Sequence, residues 1–473
     1  MTDVRARLAL TLGGLTRALL APKDPAALAV FRVLFGALGF VSCLRFQAYG
    51  WVDELFVKPR FYFSYWGFSW VQPLGPEGMH ILFAALTVAS ACVAAGFLYR
   101  PAIIAFFIGF SYIHLIDVTN YLNHYYLVSL LALVMAFMPL NAAWSIDALL
   151  FRGVRQDTLP AFCTYLLRLQ VGLVYTFAGV AKISEDWLLH AQPLNIWLSS
   201  RAELPVVGPL LGERWVAFAM SWAGCLFDLS IAWLLLARRT RLVAYGLVLF
   251  FHAVTKLLFP IGMFPAIMVV SALVFFSPSW PRRLLPKPLR EAPDAPPPAA
   301  APRWLRPALV AAGAYLAVQL LAPLRAHAYG GNVHWHEQGM RFSWRVMVRE
   351  KNASVTYRVT YPETGRVVEV SPRAYLTDRQ EREFSTQPDM ILKLAHHIAE
   401  EHAARAGAPV IVTADVVASL NGRRAERLID PAVNLAAIPD SIAPARWIQP
   451  APEARPIALR STGWKIAAWN AVH

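Results

Sequence analysis

LRLQVGLVYTFAGVAKISEDW, Leu167 to Trp187, is the stretch that decides the fold. It belongs to an apolar run that starts at Ala161 and ends at Ala181, roughly 20 residues, the length of a helix that crosses a bilayer. Lys182 closes the run, and Glu185, Asp186 and Trp187 follow it. A lysine at the edge of a span ordinarily snorkels to water. In a desolvated pocket the same amine is a base.

Similar runs recur. Candidate spans cover 26–43, 79–98, 101–117, 122–140, 161–181, 216–236, 242–259, 264–277 and 307–324. The 473-residue chain is 57% hydrophobic and 16% charged, with mean hydropathy +0.44. Soluble domains carry about 25% charge, so the composition argues for a polytopic membrane protein. The N-terminal segment 1–23 has an apolar run broken by Arg17 and no small-residue cleavage pattern, which predicts an interfacial amphipathic helix.

Basic residues set the expected orientation. With the N-terminus inside, the inner segments hold Arg5, Arg7 and Arg17, then Arg238, Arg239 and Arg241, then Arg282, Arg283, Lys287 and Arg290. The outer loops hold Arg45, Lys58, Arg60, Arg201 and Arg214. The surplus positive charge therefore reads as topology and implies no nucleic acid. Residues 24–280 are expected to form eight spans, 281–306 a proline-rich cytoplasmic linker and 307–324 a ninth span. Residues 325–473 are then outside.

The C-terminal region changes character. SVTYRVTY (Ser354–Tyr361) alternates like a half-buried strand, ETG turns the chain, and RVVEV follows. Residues 377–406 read as helical, and VIVTADVVASL runs into Asn421-Gly422, a hairpin signal. The fold class is thus an α-helical polytopic bundle of about nine spans carrying a C-terminal extramembrane α+β domain.

Four cysteines, Cys43, Cys92, Cys163 and Cys225, fall in or beside spans and form no CxxC pair. HHIAEEH (His396–His402) lacks the glutamate of the helical zinc motif, so a polar helix face explains it and no metal is expected. There is no phosphate loop and no nucleophile elbow.

Ionisable residues inside spans are expensive and informative. Arg168 and Asp228 lie at one expected depth on consecutive spans, which predicts a structural ion pair. A second set gathers near the outer face: His114, Asp117, Asn123, His124, Lys182, His252 and Lys256. Each alone is an ordinary interfacial residue. Together they predict a cavity lined by amine and imidazole.

The residues also carry a family resemblance. FRVLFG (Phe31–Gly36), NHYYLVSLLAL (Asn123–Leu133), WSIDALL (Trp144–Leu150), LRLQVGLVYTFAGVAKISEDW, FHAVTKLLFPIGMF (Phe251–Phe264) and SPSWPRRL run through the spans. FSWRVMV, RLIDP and WIQP extend the match into the C-terminal region. The chain resembles the vitamin K-dependent gamma-glutamyl carboxylases over most of its length.

That resemblance implies a carboxylase that couples oxygenation of reduced vitamin K (phylloquinol or menaquinol), with dioxygen and carbon dioxide as co-substrates, to gamma-carboxylation of glutamate. A family lysine matching Lys182 deprotonates the hydroquinone. The oxygenated product is a base strong enough to take the glutamate γ-proton, the carbanion adds carbon dioxide, and the quinone leaves as epoxide. Ammonium cannot accept a proton, so Lys182 must be uncharged when it acts, which desolvation favours. Acids facing inward from Glu185 or Asp186 would oppose that.

His124 matches a histidine linked to the carboxylation step, so Lys182 and His124 are the expected catalytic residues. His252, Asn123, Tyr125, His114 and Phe264 are assigned to cofactor binding. Arg341, Arg349 and Trp344 are assigned to the substrate, in a segment where the family reads GLYGYSW and this chain has Gly339-Met340-Arg341-Phe342-Ser343-Trp344. The missing tyrosine, and Arg349 in place of a histidine, keep open a quinol epoxidase without carboxylation. A transporter or membrane-anchored binding protein is the non-enzymatic alternative. Expected partners are membrane lipid and a glutamate-containing peptide or protein on the outer side. The Ala- and Arg-rich composition suggests a bacterial inner membrane, with the C-terminal domain periplasmic or luminal.

Overall fold

The structure, a computed structural model, describes residues 14–284 and 305–457. Most of the N-terminal segment and of the proline-rich linker lies outside the described residues. Among the described residues seven helices are long and apolar enough to cross a membrane, and Asn123–Ala136 and Phe264–Phe275 are shorter apolar helices. In chain order the bundle helices are α1 (Ala26–Ala48), α2 (Gly75–Ala95), α3 (Tyr99–Ile116), α4 (Asn123–Ala136) and α5 (Ala161–Ala181). They continue as α6 (Arg214–Leu236), α7 (Arg241–Leu258), α8 (Phe264–Ala272) and α9 (Leu305–Leu324). Pro76 and Pro265 open α2 and α8, where the missing N–H costs nothing.

Small residues allow the close approaches that fix the bundle. A Cβ at Gly36 would meet the Ala94 backbone at 2.4 Å, and one at Gly179 would meet the Leu229 backbone nitrogen at 2.8 Å. The first contact joins α1 to α2. The second brings the end of α5 against the middle of α6, and it positions the site described below.

The C-terminal domain is an antiparallel sheet covered by helices. Strand β1 (Lys351–Tyr361) pairs with β2 (Arg366–Val370) and β3 (Ile411–Leu420), and β3 pairs with β4 (Glu426–Arg427), giving the order β2-β1-β3-β4. Alternate residues of β3 are buried (Val412, Ala414, Val416, Ala418, Leu420), as a half-buried strand requires. Asn421 and Gly422 both take positive φ, 51° and 78°, the conformation the hairpin needs. Helices α10 (Asp378–Phe384) and α11 (Pro388–Ala406) account for the expected helical stretch.

Among the joints that fasten this domain to the bundle, two are made on buried acids, Asp117 and Asp186. At one, Gln380 Nε2 donates to Asp117 Oδ2 and to the Phe61 carbonyl, each at 2.8 Å. At the other, Arg423 grips Asp186 with Nη2 at 2.6 Å and Nη1 at 2.9 Å, and Asn421 Nδ2 adds a 2.7 Å bond. Burial raises the Asp186 carboxyl, but the bonds from Arg423 and Asn421 outweigh it and hold the group below its ordinary range.

Candidate functional site

Lys182 caps α5, with its backbone N–H on the Gly179 carbonyl. Its side chain turns inward. Nζ donates to Asp228 Oδ2 at 2.7 Å and to the Ala178 carbonyl at 3.3 Å, and it stands 5.3 Å from the Trp187 ring centroid. Only 6% of Lys182 is exposed. A snorkelling side chain would be wet, so this is a buried amine.

The expected Arg168–Asp228 pair is not formed. Arg168 donates instead to the carbonyls of Val274 (2.7 Å), Phe275 (3.3 Å) and Phe276 (2.8 Å), in and just after the 3-10 turn that follows α8. Equal distance from the inner ends of consecutive spans does not put two residues level. Gly179 packs on Leu229, so α5 finishes level with the interior of α6, and Arg168 lies about 16 Å further along the helix at 1.5 Å per residue. Asp228 therefore belongs to Lys182. Asp186 does not interfere, because it faces Arg423.

Lys182 lines one of two adjoining cavities. The smaller, about 80 Å³, is apolar and is lined by Tyr175, Lys182, Trp187, Asp228, Phe251, His252 and Met268 among others. Tyr175 Oη lies 3.3 Å from His252 Nε2, and His252 Nδ1 is buried without a partner among the described residues. The larger, about 580 Å³, lies between bundle and C-terminal domain. His114, Asn123, His124, Tyr125, Arg45 and Arg379 line it. Ile261, Phe264, Val346 and Met347 line both cavities and form the wall between them.

Within the larger cavity His124 packs against the rings of Tyr125 (4.7 Å between centroids) and Phe264 (6.0 Å) and has no hydrogen-bond partner among the described residues. His114 stacks on Tyr121 at 5.5 Å, and its Nε2 is buried without a partner among the described residues. Asn123 Oδ1 accepts from Tyr121 Oη at 3.0 Å. Lys182 and His252 thus lie in the apolar chamber. His124, His114, Asn123 and Tyr125 lie in the polar one, and Phe264 serves both.

The three residues assigned to substrate stand elsewhere. Arg341 holds Asp389 through Nη1 at 2.6 Å and Nη2 at 3.1 Å, and it also bonds Gln387. Arg349 Nε lies 3.0 Å from Glu337 Oε1. Burial raises the Glu337 carboxyl, and burial lowers its neighbour Lys351 to about 8, so the Glu337–Arg349–Lys351 cluster is an internal network. Trp344 is buried and stacks on Tyr126 at 4.9 Å. None of the three lines either cavity. Their segment contributes its backbone path instead. Phe342, Trp344 and Met347 take positive φ (61°, 57° and 52°), and this course brings Val346 and Met347 to the dividing wall.

Sequence reasoning missed Asp228, Arg45, Arg379, Tyr175, Val346 and Met347 as cavity residues. Asp228 did carry a signal, a carboxylate deep in a span, but it was given the wrong partner. Arg379 carried none, since it sits in a charged amphipathic helix among other arginines.

Two family models match the chain. Residues 20–280 match the HTTM domain, and residues 305–454 match the vitamin K-dependent gamma-carboxylase lumenal domain. No solved structure matches.

Proposed function

The chain belongs to the vitamin K-dependent gamma-carboxylase family, and we propose that it couples oxidation of reduced vitamin K to carboxylation of glutamate side chains. The observation that carries this reading is the buried Lys182–Asp228 couple facing an apolar cavity that adjoins a polar, histidine-lined one. The apolar chamber alone is smaller than the roughly 300–1,000 Å³ typical of small-molecule sites. The polar chamber is within that range, and side-chain movement at Phe264 and Met347 would join the two. Aromatic and aliphatic walls with a single amine at one end suit a fused-ring quinol bearing an acidic hydroxyl. When bound, reduced vitamin K supplies the reducing equivalents for dioxygen and the strong base that carboxylation needs.

Asp228 changes how Lys182 works as a base. The couple is net neutral either as ammonium and carboxylate or as amine and carboxylic acid. One proton shift along the 2.7 Å hydrogen bond relates the two forms. In the second form Nζ carries a lone pair. Accepting a proton then leaves an ammonium beside a neutral acid, and that cation can balance negative charge in a site from which water is excluded. His252, held by Tyr175, lies on the same cavity wall and can orient a ligand oxygen. His124, with no partner of its own, can hold or deliver a proton in the polar chamber. We further propose that this chamber faces the periplasmic or luminal side, as the basic-residue asymmetry suggests.

The test is a single assay of purified protein with reduced vitamin K, a glutamate-containing peptide and labelled carbon dioxide. Epoxide and fixed label are followed separately. Both are expected. Epoxide without label would leave the epoxidase reading, and neither product would overturn the proposal.

A further inference from the structure

The polar chamber contains two guanidinium groups that form no ion pair among the described residues. Arg379, on α10, donates from Nη2 to Asn120 Oδ1 at 3.2 Å, and its Nε is buried with no partner among the described residues. A buried N–H left unmade costs free energy that a bound acceptor would recover. Arg45, on α1, lies 5.3 Å from the Trp51 ring centroid and 5.8 Å from that of Tyr49. Both line the cavity that contains His124.

The site is built rather than incidental. Thr377 and Gln380 form a capping box at the start of α10, and Gln380 also bonds Asp117 and the Phe61 carbonyl. Arg379 is therefore presented from a helix end clamped to the bundle on its adjacent residue. Two acids share the chamber. Glu54 is paired with Lys58 at 2.7 Å, and Glu383 lies one turn after Arg379 without pairing to it.

We propose that Arg379, assisted by the positive charge of Arg45, anchors a carboxylate of the acceptor peptide in the polar chamber. This rests on the carboxylase reading above and names the residues that select glutamate within it. A planar guanidinium with a free edge binds a carboxylate in two parallel hydrogen bonds, and an uncharged amide cannot match that contact. The same contact serves the chemistry. When the γ C–H proton is removed, its electron pair stays on the carbon beside the carboxylate, and an adjacent guanidinium stabilises the added charge.

Binding is measured on the full-length protein in detergent without quinol. A fluorescent peptide containing glutamate is compared with the same peptide carrying glutamine. Wild-type protein should prefer the glutamate peptide at least tenfold. R379Q should lose that preference, R379K should recover part of it, and R45Q should show a smaller loss. Melting curves establish that each variant is folded. Equal binding of both peptides by wild-type protein, or an unchanged preference in folded R379Q, would overturn the proposal. Displacement of the peptide by bicarbonate but not chloride would assign the guanidinium to a small anion and overturn it too. Wild-type protein that makes neither epoxide nor labelled product would sink the carboxylase reading, while glutamate-selective binding abolished in R379Q would still establish the anchor.

Discussion

Lys182 Nζ meets Asp228 Oδ2 at 2.7 Å, with side-chain exposures of 7% and 8%. Both charges are out of water, and each is the other's only ionic partner among the described residues. Breaking such a pair strands a charge, whereas replacing both members with apolar groups of similar volume removes the problem altogether.

Asp228→Asn should therefore destabilise the protein by about 3–5 kcal/mol and also lower quinol oxidation, because the ammonium formed when Nζ takes a proton is left with no carboxyl group to share that proton. Lys182→Met combined with Asp228→Leu should recover most of the melting temperature and none of the activity. Thermal unfolding in detergent and epoxide formation are the two readouts. A stable, active Asp228→Asn variant would show that the pair is neither structural nor catalytic.

His124 tests whether the two chambers divide the chemistry. It lines the polar chamber and does not line the apolar one. His124→Ala should keep a measurable part of epoxide formation and lose carboxylation by at least tenfold more. Parallel loss of both products in a folded variant would move this histidine to the quinol side.

The Asp186–Arg423 joint gives a pH-dependent prediction. The folded carboxyl titrates below its unfolded value of about 3.9. Its contribution is therefore fully present above that pH and is lost as pH falls through the lower folded value. Asp186→Asn should cost about 3 kcal/mol at pH 7, and the difference from wild type should shrink towards pH 3. A constant difference across that window would mean that the ionised carboxylate contributes nothing to the joint.

Much of the architecture was legible because period and length are local properties. The run 161–181 and the alternation in Ser354–Tyr361 each became the element their spacing required. What the sequence could not convey was relative depth. Hydropathy marks where a helix enters lipid, but the contact of Gly179 with Leu229 decides which residues of neighbouring helices are level. For that reason Lys182 and His124 could be singled out, while Asp228 was paired with Arg168. The ionic partners of Arg341 and Arg349, Asp389 and Glu337, were likewise not legible. Positive charge in a substrate-like segment says nothing about whether Asp389 or Glu337 already occupies it.

Orientation is open to direct test. Single cysteines at Ser354, on an exposed strand position, and at Ser279, after α8, should divide between the two sides of the membrane. In intact cells an impermeant thiol reagent should label Ser354→Cys and spare Ser279→Cys, with the parent chain as background. The reverse pattern would place the two cavities towards the cytoplasm.

Lys182 itself carries the most demanding prediction. If quinol oxidation begins with proton transfer to this amine, every quinone product depends on it. Lys182→Ala should abolish epoxide formation while the protein still inserts, with stability lowered because Asp228 loses its partner. Lys182→Arg keeps the ion pair and restores that stability, yet guanidinium stays protonated at any working pH and cannot serve as a base. It should be folded and inactive. A small primary amine entering the space vacated in Lys182→Ala should restore part of the activity, and the rescue should rise with pH as more of the amine becomes neutral. An anchoring lysine predicts the opposite on each count, with arginine tolerated and added amine without effect. Full epoxide formation by Lys182→Arg would remove Lys182 from the chemistry and leave the couple with Asp228 as a structural pair.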